Sequence, residues 1–304
     1  MKIDIKKDVA LAPYTTFGIG GKAEYFCVVN DKDAILEALN WAHSEKMDFH
    51  ILGGGSNVLV ADNGVLGLTI LNRAGNYKIV NNIVITESGT SLSRITRESI
   101  GMGLSGLDFA IGIPGTIGGA VVGNAGAYGR SISDSLISGE VWENGNLNVL
   151  NNLDFNFGYR YSNLKNNSEK VFVSAEFSLY PGNKDEMRQI VDEDKKRRKI
   201  YEGKNCGSYF CNVNVTDLSE KQIEKMNNFI VQEKVLVGKL FDNLGLKGKK
   251  IGGAMVSEKH ANVILNTGTA TAKNILDLEK EIMRIFFEEY GIVLIPEVTK
   301  IGEF

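Results

Sequence analysis

Gly112-Ile113-Pro114-Gly115-Thr116-Ile117-Gly118-Gly119-Ala120-Val121-Val122-Gly123-Asn124-Ala125-Gly126-Ala127-Tyr128-Gly129 is the stretch on which the fold turns: seven of its eighteen residues are glycine and none is charged. A flexible linker is padded with Ser, Lys and Glu. This run instead interleaves glycine with Ile, Val and Ala, so it can be buried while its backbone stays accessible. Glycine admits positive φ and lets the main chain approach a ligand with no Cβ in the way, which leaves successive N–H groups to point at an anion. The stretch reads as a cradle for a phosphate or pyrophosphate.

Upstream, Phe49-His50-Ile51-Leu52 reads as a buried strand that runs directly into Gly53-Gly54-Gly55-Ser56-Asn57-Val58-Leu59-Val60. A ligand would then be held from two sides. Neither run is the dinucleotide fingerprint G-x-G-x-x-G in its usual setting, because no long helix with an acidic residue about twenty positions on follows either of them. No G-x-x-x-x-G-K-[ST] is present either. Each run taken singly is also compatible with tight turns between strands; two in one chain favour the ligand.

At 304 residues the chain has room for roughly two domains or three small ones, and 43% apolar residues suffice for their cores. A formal net charge of −3 argues against a nucleic-acid partner held by phosphate neutralisation. The basic run Lys195 to Lys199 follows Asp192-Glu193-Asp194 on a helical pattern and reads as a solvated face. The N-terminus carries no secretory apolar region and no run is long enough to span a bilayer, so a cytoplasmic protein without a membrane partner is expected. Cys27, Cys206 and Cys211 form no disulfide framework, and with only His43, His50 and His260 there is no cluster of zinc spacing, so no metal is expected. Cys206 and Cys211 lie in a polar loop, where a reactive thiol is open.

Hydrophobic periodicity places a strand over Ala23–Val29, a helix over Lys32–Lys46 and strands over Phe49–Leu52 and Leu66–Leu71, a β-α-β opening. Thr15 to Gly21 is a third glycine turn. Hairpins are expected around Asn81-Asn82 and Asn144-Gly145, a helix over Leu92–Ile100, a strand over Lys170–Tyr180 and a helix from Lys184 to about Tyr201. Beyond Asn205, helices are expected over Ser219–Val231, Val235–Leu244 and Ala272–Tyr290, with strands near Ala254 and Ile264.

At Tyr159-Arg160-Tyr161-Ser162 the separate motifs join into one pattern. With Thr16-Phe17-Gly18-Ile19-Gly20-Gly21, the two glycine runs, Gly207-Ser208, Gly245-Leu246-Lys247-Gly248 and Val256-Ser257-Glu258-Lys259-His260-Ala261-Asn262, the chain from about Thr15 to Gly302 resembles the UDP-N-acetylenolpyruvoylglucosamine reductase family. The resemblance implies an α+β fold: a two-subdomain FAD-binding fold of the vanillyl-alcohol-oxidase (PCMH) type plus a C-terminal α+β substrate domain. The expected boundaries are 1–73, 74–183 and 184–297, with a tail, 298–304, that returns to the first. It implies non-covalent FAD, NADPH as hydride donor, and a UDP-sugar substrate whose enolpyruvyl ether is reduced in peptidoglycan precursor synthesis.

The resemblance also implies residue roles. Gly53, Gly54, Gly55, Ser56, Asn57, Val58 and Leu59, together with Ile113, Pro114, Gly115, Thr116, Gly118, Gly119, Ala120, Asn124, Gly126 and Ala127, would contact FAD. Arg160 would grip the substrate carboxylate and steady the enolate, for which a planar guanidinium is suited. Glu297 would assist near the same carboxylate, and Ser208 would give a proton to the carbon beside it. Tyr128, Asn212 and His260 would bind substrate. Without the family, Arg160 reads as a surface arginine, Ser208 as a turn serine and Glu297 as one acid among many.

Departures cluster after Ser208. The family usually continues Phe-Lys-Asn-Pro, and here the chain reads Phe210-Cys211-Asn212-Val213, followed by a helix-forming stretch, Thr216 to Lys234, where many members have a short turn. Thr299 stands where a basic residue is common. A flavoprotein oxidase of a hydroxy acid or sugar would share the FAD fold, but such enzymes often tether flavin through His or Cys, and neither lies in the two glycine runs. A non-enzymatic nucleotide-binding protein would need only the glycine loops and leaves Arg160, Ser208 and Glu297 unexplained.

Overall fold

A computed structural model of the chain describes residues 3–165, 167 and 169–304, and of residues 184 and 195–199 the backbone alone. The side chains of the basic run therefore lie outside the described residues. By its contacts the chain divides into two units, one made of Met1–Val9, Lys22–Gly55 and Val65–Arg198, the other of Ala10–Gly21, Ser56–Gly64 and Lys199–Phe304.

The first unit contains two sheets. In one, the strands run in the order Lys6–Ala10, Lys22–Val29, Val65–Asn72 and Phe49–Leu52, and Val65–Asn72 pairs in parallel with both Lys22–Val29 and Phe49–Leu52. Parallel neighbours need a crossover, which is helix α1, Lys32–Ser44. Asp31 caps it by accepting from the Ala34 amide at 2.8 Å. Its Ile35, Ala38, Leu39 and Ala42 are buried at helical spacing against Cys27, Val29, Leu68 and Ile70. Burial of each large member of that stripe stabilises by about 1.5–3 kcal/mol. Leu52 ends its strand at the carboxyl edge of this sheet, so the chain leaves it straight into Gly53.

The other sheet is antiparallel, ordered Asn146–Asn151, Leu136–Glu143, Lys170–Ser178, Ile83–Glu87 and Tyr77–Val80. Both expected hairpins are present, and the Asn144-Gly145 turn has φ 49° and 83°, the two positive values of a type I′ turn. The central strands face two cores, and an irregularity in their pairing between Glu140 and Val141 interrupts the alternation of Lys170–Ser178. Val141, Phe172 and Phe177 pack with helices α2 (Leu92–Gly101) and α3 (Ile117–Val122), whereas Trp142, Val171 and Val173 pack with α1. Helix α4, Lys184–Arg197, tightens into a 3₁₀ turn over Arg198–Tyr201.

The second unit is organised on a long helix whose sequence neighbours are shorter: α5 (Glu220–Met226), α6 (Val237–Asn243) and α7 (Ala272–Tyr290). Thr271 and Asn274 form a capping box at the start of α7, Asp62 accepts from the Ala272 and Lys273 amides at 2.8 and 3.0 Å, and Gly291 closes the helix at φ 65°. Ile275, Leu278, Ile282 and Phe286 of α7 share a core with Phe241, Tyr209 and Phe210. The Thr15–Gly21 turn has its explanation here: Phe17 and Ile19 are buried in the same core. Thr299–Ile301 pairs in parallel with Val58–Val60.

Two sequence expectations fail in this unit. The helix expected over Ser219–Val231 stops at Met226, because Asn227 and Asn228 are poor helix formers and the chain turns through a 3₁₀ segment into a small hairpin, Ile230–Val231 with Lys234–Val235. Gln232 and Glu233 make its turn with φ 49° and 59°, so Lys234 and Val235, assigned to a helix or its approach by periodicity, are strand. Among the described residues no helix is long and apolar enough to cross a membrane.

Candidate active site

The two glycine runs meet in the first unit. A Cβ on Gly53 would lie 2.6 Å from the Thr116 hydroxyl oxygen, and one on Gly54 would lie 2.7 Å from Cα of Gly115. Neither position has room for a side chain: Gly53 lies against the Thr116 side chain and Gly54 against the Gly115 backbone. Gly115 holds φ 112°, its carbonyl accepts from the Leu92 amide at 3.1 Å, and the Ile117 and Gly118 amides donate to Thr90 and Ser88 carbonyls at 2.9 and 2.8 Å. The loop is thus fixed before any ligand arrives. Gly119 differs: its Cβ would have only the Thr116 hydroxyl nearby, at 3.8 Å, and would otherwise stand in open space. Packing does not require that glycine, whereas a ligand lying against the first turn of α3 would.

Gly54→Ala therefore drives a methyl group into a backbone that cannot give. We expect the variant to lose about 1–3 kcal/mol of stability and to purify with a smaller share of bound yellow cofactor, read by thermal melting and by the absorbance ratio at 450 and 280 nm. Unchanged melting and full colour would show that the two loops separate easily.

The remaining expected cofactor residues divide. Ser56 onward belongs to the second unit, where Asn57 donates from its amide to the Glu297 carbonyl at 3.1 Å and accepts at its own carbonyl from the Thr299 amide at 3.0 Å. Leu59 is fully buried in the core, in the strand that pairs with Thr299–Ile301. Asn124, in the first unit, spends its side chain on protein: Nδ2 donates to the Gly158 carbonyl at 2.9 Å and Oδ1 accepts from the Ser133 amide at 3.1 Å. Gly126 and Ala127 pair with Ser131 and Arg130 in a small ribbon, and Tyr128 is 44% exposed at φ 56°.

Asn124 thereby ties the central glycine run to the Arg160 turn. The Gly158 and Tyr161 amides and carbonyls bond each other at 3.0 and 3.2 Å, Ser162 donates to the Val122 carbonyl at 2.7 Å, and Lys165 donates to the Arg160 carbonyl at 3.0 Å. Within this clamp Arg160 adopts φ 56°, a left-handed conformation that costs a non-glycine residue of order 1–3 kcal/mol. Its guanidinium lies over the Tyr159 ring, 5.4 Å from the centroid.

Ser208 and Glu297 come together in the second unit. The segment after Ser208 runs antiparallel to the one before Glu297: the Glu297 amide donates to the Tyr209 carbonyl at 2.8 Å, the Cys211 amide to the Ile295 carbonyl at 2.9 Å, and Phe210 faces Pro296. Asn262 grips the same segment from its other side, accepting from the Phe210 amide at 2.9 Å, donating to the Phe210 carbonyl at 2.8 Å, and accepting at its own carbonyl from the Tyr209 amide at 2.7 Å. Below them, Tyr209 donates to the buried Glu279 at 2.6 Å and Lys300 donates to its other oxygen at 2.8 Å. Burial, then the charge of Glu279, raises the Tyr209 phenol well above its usual pKa, so it stays protonated.

Cys206 is buried, and desolvation followed by the nearby Glu297 charge pushes its thiol far up, so it is not a reactive thiol. Cys211 is half-buried. Asn212 accepts from the Val237 amide at 3.1 Å and so caps α6. His260 is half-buried, its Nδ1 accepts from the Asn262 amide at 3.2 Å, and burial lowers its pKa below the usual imidazole value. Asn205, Asn262 as a clamp, and Tyr201 carry no signal in the sequence, since each acts by bonding segments that periodicity treats separately.

Strands that feed glycine loops packed against each other suit a phosphate-bearing ligand, and the class of protein follows from the comparison: a family model described as an FAD binding domain matches residues 23–146. A second, the C-terminal domain of UDP-N-acetylenolpyruvoylglucosamine reductase, matches residues 198–301. The reductase of Caldicellulosiruptor bescii is 38% identical over 99% of this chain and 92% of its own length, and that of Caldanaerobacter subterraneus subsp. tengcongensis is 37% identical over 95% and 91%. The crystal structure of the Thermus caldophilus reductase superposes with a TM-score of 0.78 at 29% identity, covering 99% of this chain and 100% of that one. The chain belongs to the UDP-N-acetylenolpyruvoylglucosamine reductase family.

Proposed function

We propose that this chain reduces the enolpyruvyl ether of UDP-N-acetylglucosamine to UDP-N-acetylmuramate with NADPH, in peptidoglycan precursor synthesis, and that it does so in the cytoplasm, where a nucleotide-linked sugar and NADPH are supplied. FAD, when bound, relays a hydride from NADPH to the terminal vinyl carbon. The observation that carries the reading is the pair of glycine loops in backbone contact, with Gly119 open beside them: a neutral, side-chain-free surface suited to a pyrophosphate and its flavin.

Addition of hydride to the vinyl carbon leaves an electron pair on the carbon beside the carboxylate, delocalised as an enolate. Arg160 holds that carboxylate and stabilises the developing charge through a guanidinium whose backbone is already clamped. Glu297 assists near the same carboxylate. Ser208 supplies the proton to carbon, from a segment held on both edges.

Under anaerobic conditions the purified yellow protein is expected to consume NADPH in step with the enolpyruvyl UDP-sugar. Oxygen consumption with a hydroxy acid or free sugar instead would identify an oxidase. Since neither glycine run contains His or Cys, acid precipitation should leave all the yellow colour in the supernatant; a coloured pellet would contradict non-covalent FAD.

A further inference from the structure

Serine is a weak acid, so a serine that protonates carbon needs a group that restores its proton before negative charge settles on the alkoxide. The loop entering Ser208 brings such a group to it. Asn205, 8% exposed, donates from Nδ2 to the Tyr201 carbonyl at 3.0 Å and the Gly203 carbonyl at 2.9 Å, and accepts at Oδ1 from the Gly207 amide at 2.8 Å. Gly203 and Gly207, at φ 101° and 84°, make the turns on either side. These bonds close residues 201–208 into a loop whose ends touch.

At that closure the Tyr201 hydroxyl lies 3.5 Å from the Ser208 hydroxyl, which has no other side-chain hydrogen bond among the described residues. The Tyr201 ring is stacked on His260, with centroids 5.7 Å apart and planes 28° apart, so the phenol's direction is fixed from behind. Since His260 accepts through Nδ1 and is kept neutral by burial, it offers Tyr201 an aromatic face and no charge. A formed O–H···O bond is about 2.7–2.8 Å long, so the two hydroxyls need to close by under about 1 Å.

We propose that Tyr201 is the proton-relay partner of Ser208. The inference rests on the reading of Ser208 as the proton donor. As the new C–H bond forms, the Ser208 O–H bond breaks; the electron pair left on Oγ takes the phenol proton of Tyr201, and the phenolate recovers a proton from water. No electrons change hands. A phenol is a much stronger acid than an aliphatic alcohol, so the second transfer runs downhill and draws the first forward. Tyr201 reaches the substrate only through Ser208, which makes it a positioning and relay residue.

Tyr201→Phe keeps the ring on His260 and removes only the hydroxyl. Rapid mixing of the FAD-loaded variant with NADPH is expected to bleach the flavin band at the wild-type rate, and substrate binding, read from the perturbed flavin spectrum, is expected to be unchanged. Reoxidation by the enolpyruvyl UDP-sugar should slow at least tenfold. Adding Tyr201→Phe to Ser208→Ala should slow it no further, because a relay with no donor to serve has nothing left to lose. Wild-type reoxidation in Tyr201→Phe, with Ser208→Ala slow, would reduce Tyr201 to a packing residue and leave the donor reading intact. Additive losses in the double variant would mean that Tyr201 acts apart from Ser208 and would overturn the relay. Wild-type reoxidation in Ser208→Ala would overturn the donor assignment and the relay with it.

Discussion

Ser208→Ala is expected to divide the catalytic cycle: NADPH bleaches the flavin at close to the wild-type rate, while reoxidation by the enolpyruvyl substrate falls on the order of 10²–10⁴-fold, the range for a lost general acid. Reduction by NADPH needs no acid from the protein, whereas completing the product needs a proton on carbon. The local structure makes the variant clean. The chain around Ser208 is held by Asn205 at Gly207 and by Asn262 and Glu297 at Tyr209 and Phe210, all through main-chain atoms that alanine retains. The serine hydroxyl itself caps no helix and closes no turn; its side-chain partner among the described residues is Tyr201. The result is read in a stopped-flow spectrometer by mixing pre-reduced enzyme with substrate. Reoxidation within a fewfold of wild type would make Ser208 a structural residue and turn the search for the donor to Cys206, which is buried, or Cys211, which is half-buried.

The Phe210-Cys211-Asn212-Val213 departure lies next to this serine, and its effect on the local fold is confined. Cys211 and Phe210 take part in the antiparallel contact with Ile295 and Pro296 through their backbones, which any residue can do. Asn212 turns to the amide of Val237 and caps α6, and Val213 pairs with Val235, so the hairpin of Ile230–Val231 and Lys234–Val235 is tied back to the same segment. Residues 216–234 belong to the second unit and join it beside the segment after Ser208 that Asn262 and Glu297 hold.

What was legible in the sequence follows its periods. The helices from Lys32 and over Ala272–Tyr290 each bury one stripe, the strand from Lys170 buries Val171, Phe172 and Val173 in succession and alternates after them, and the hairpin at Asn144-Gly145 carries its own turn chemistry. The glycine runs were read as a main-chain approach to a ligand; the approach the structure shows is of one loop to the other, Gly54 against the backbone of Gly115 and Gly53 against the Thr116 side chain. Residues 219–231 misled because Ile223, Met226 and Ile230 have helical spacing while the Asn227-Asn228 pair between them breaks the helix. The amide clamps were illegible for a different reason. Asn124 reaches Gly158 and Asn262 reaches Phe210 across 34 and 52 positions, and a buried asparagine announces nothing until its partners are brought to it.

Arg160→Lys is expected to keep its flavin and lose about a hundredfold in turnover of the enolpyruvyl substrate, from the roughly 3 kcal/mol that one aligned charge-assisted contact to a developing oxyanion contributes. The substitution removes the planar fork and, with it, the guanidinium's contact over the Tyr159 ring. Lysine has the same unbranched stem at Cβ and the same aversion to φ 56°, so the backbone strain is unchanged. The clamp that holds it, from Asn124 at Gly158, Ser162 at Val122 and the Gly158–Tyr161 bonds, uses no atom of the Arg160 side chain. Lysine also keeps the positive charge, so attraction to an anion persists; what is lost is the planar pair of donors that meets both carboxylate oxygens at once. Comparing kcat/KM and flavin content for the two proteins isolates that difference. A variant with full flavin and wild-type turnover would show that the substrate carboxylate is held elsewhere.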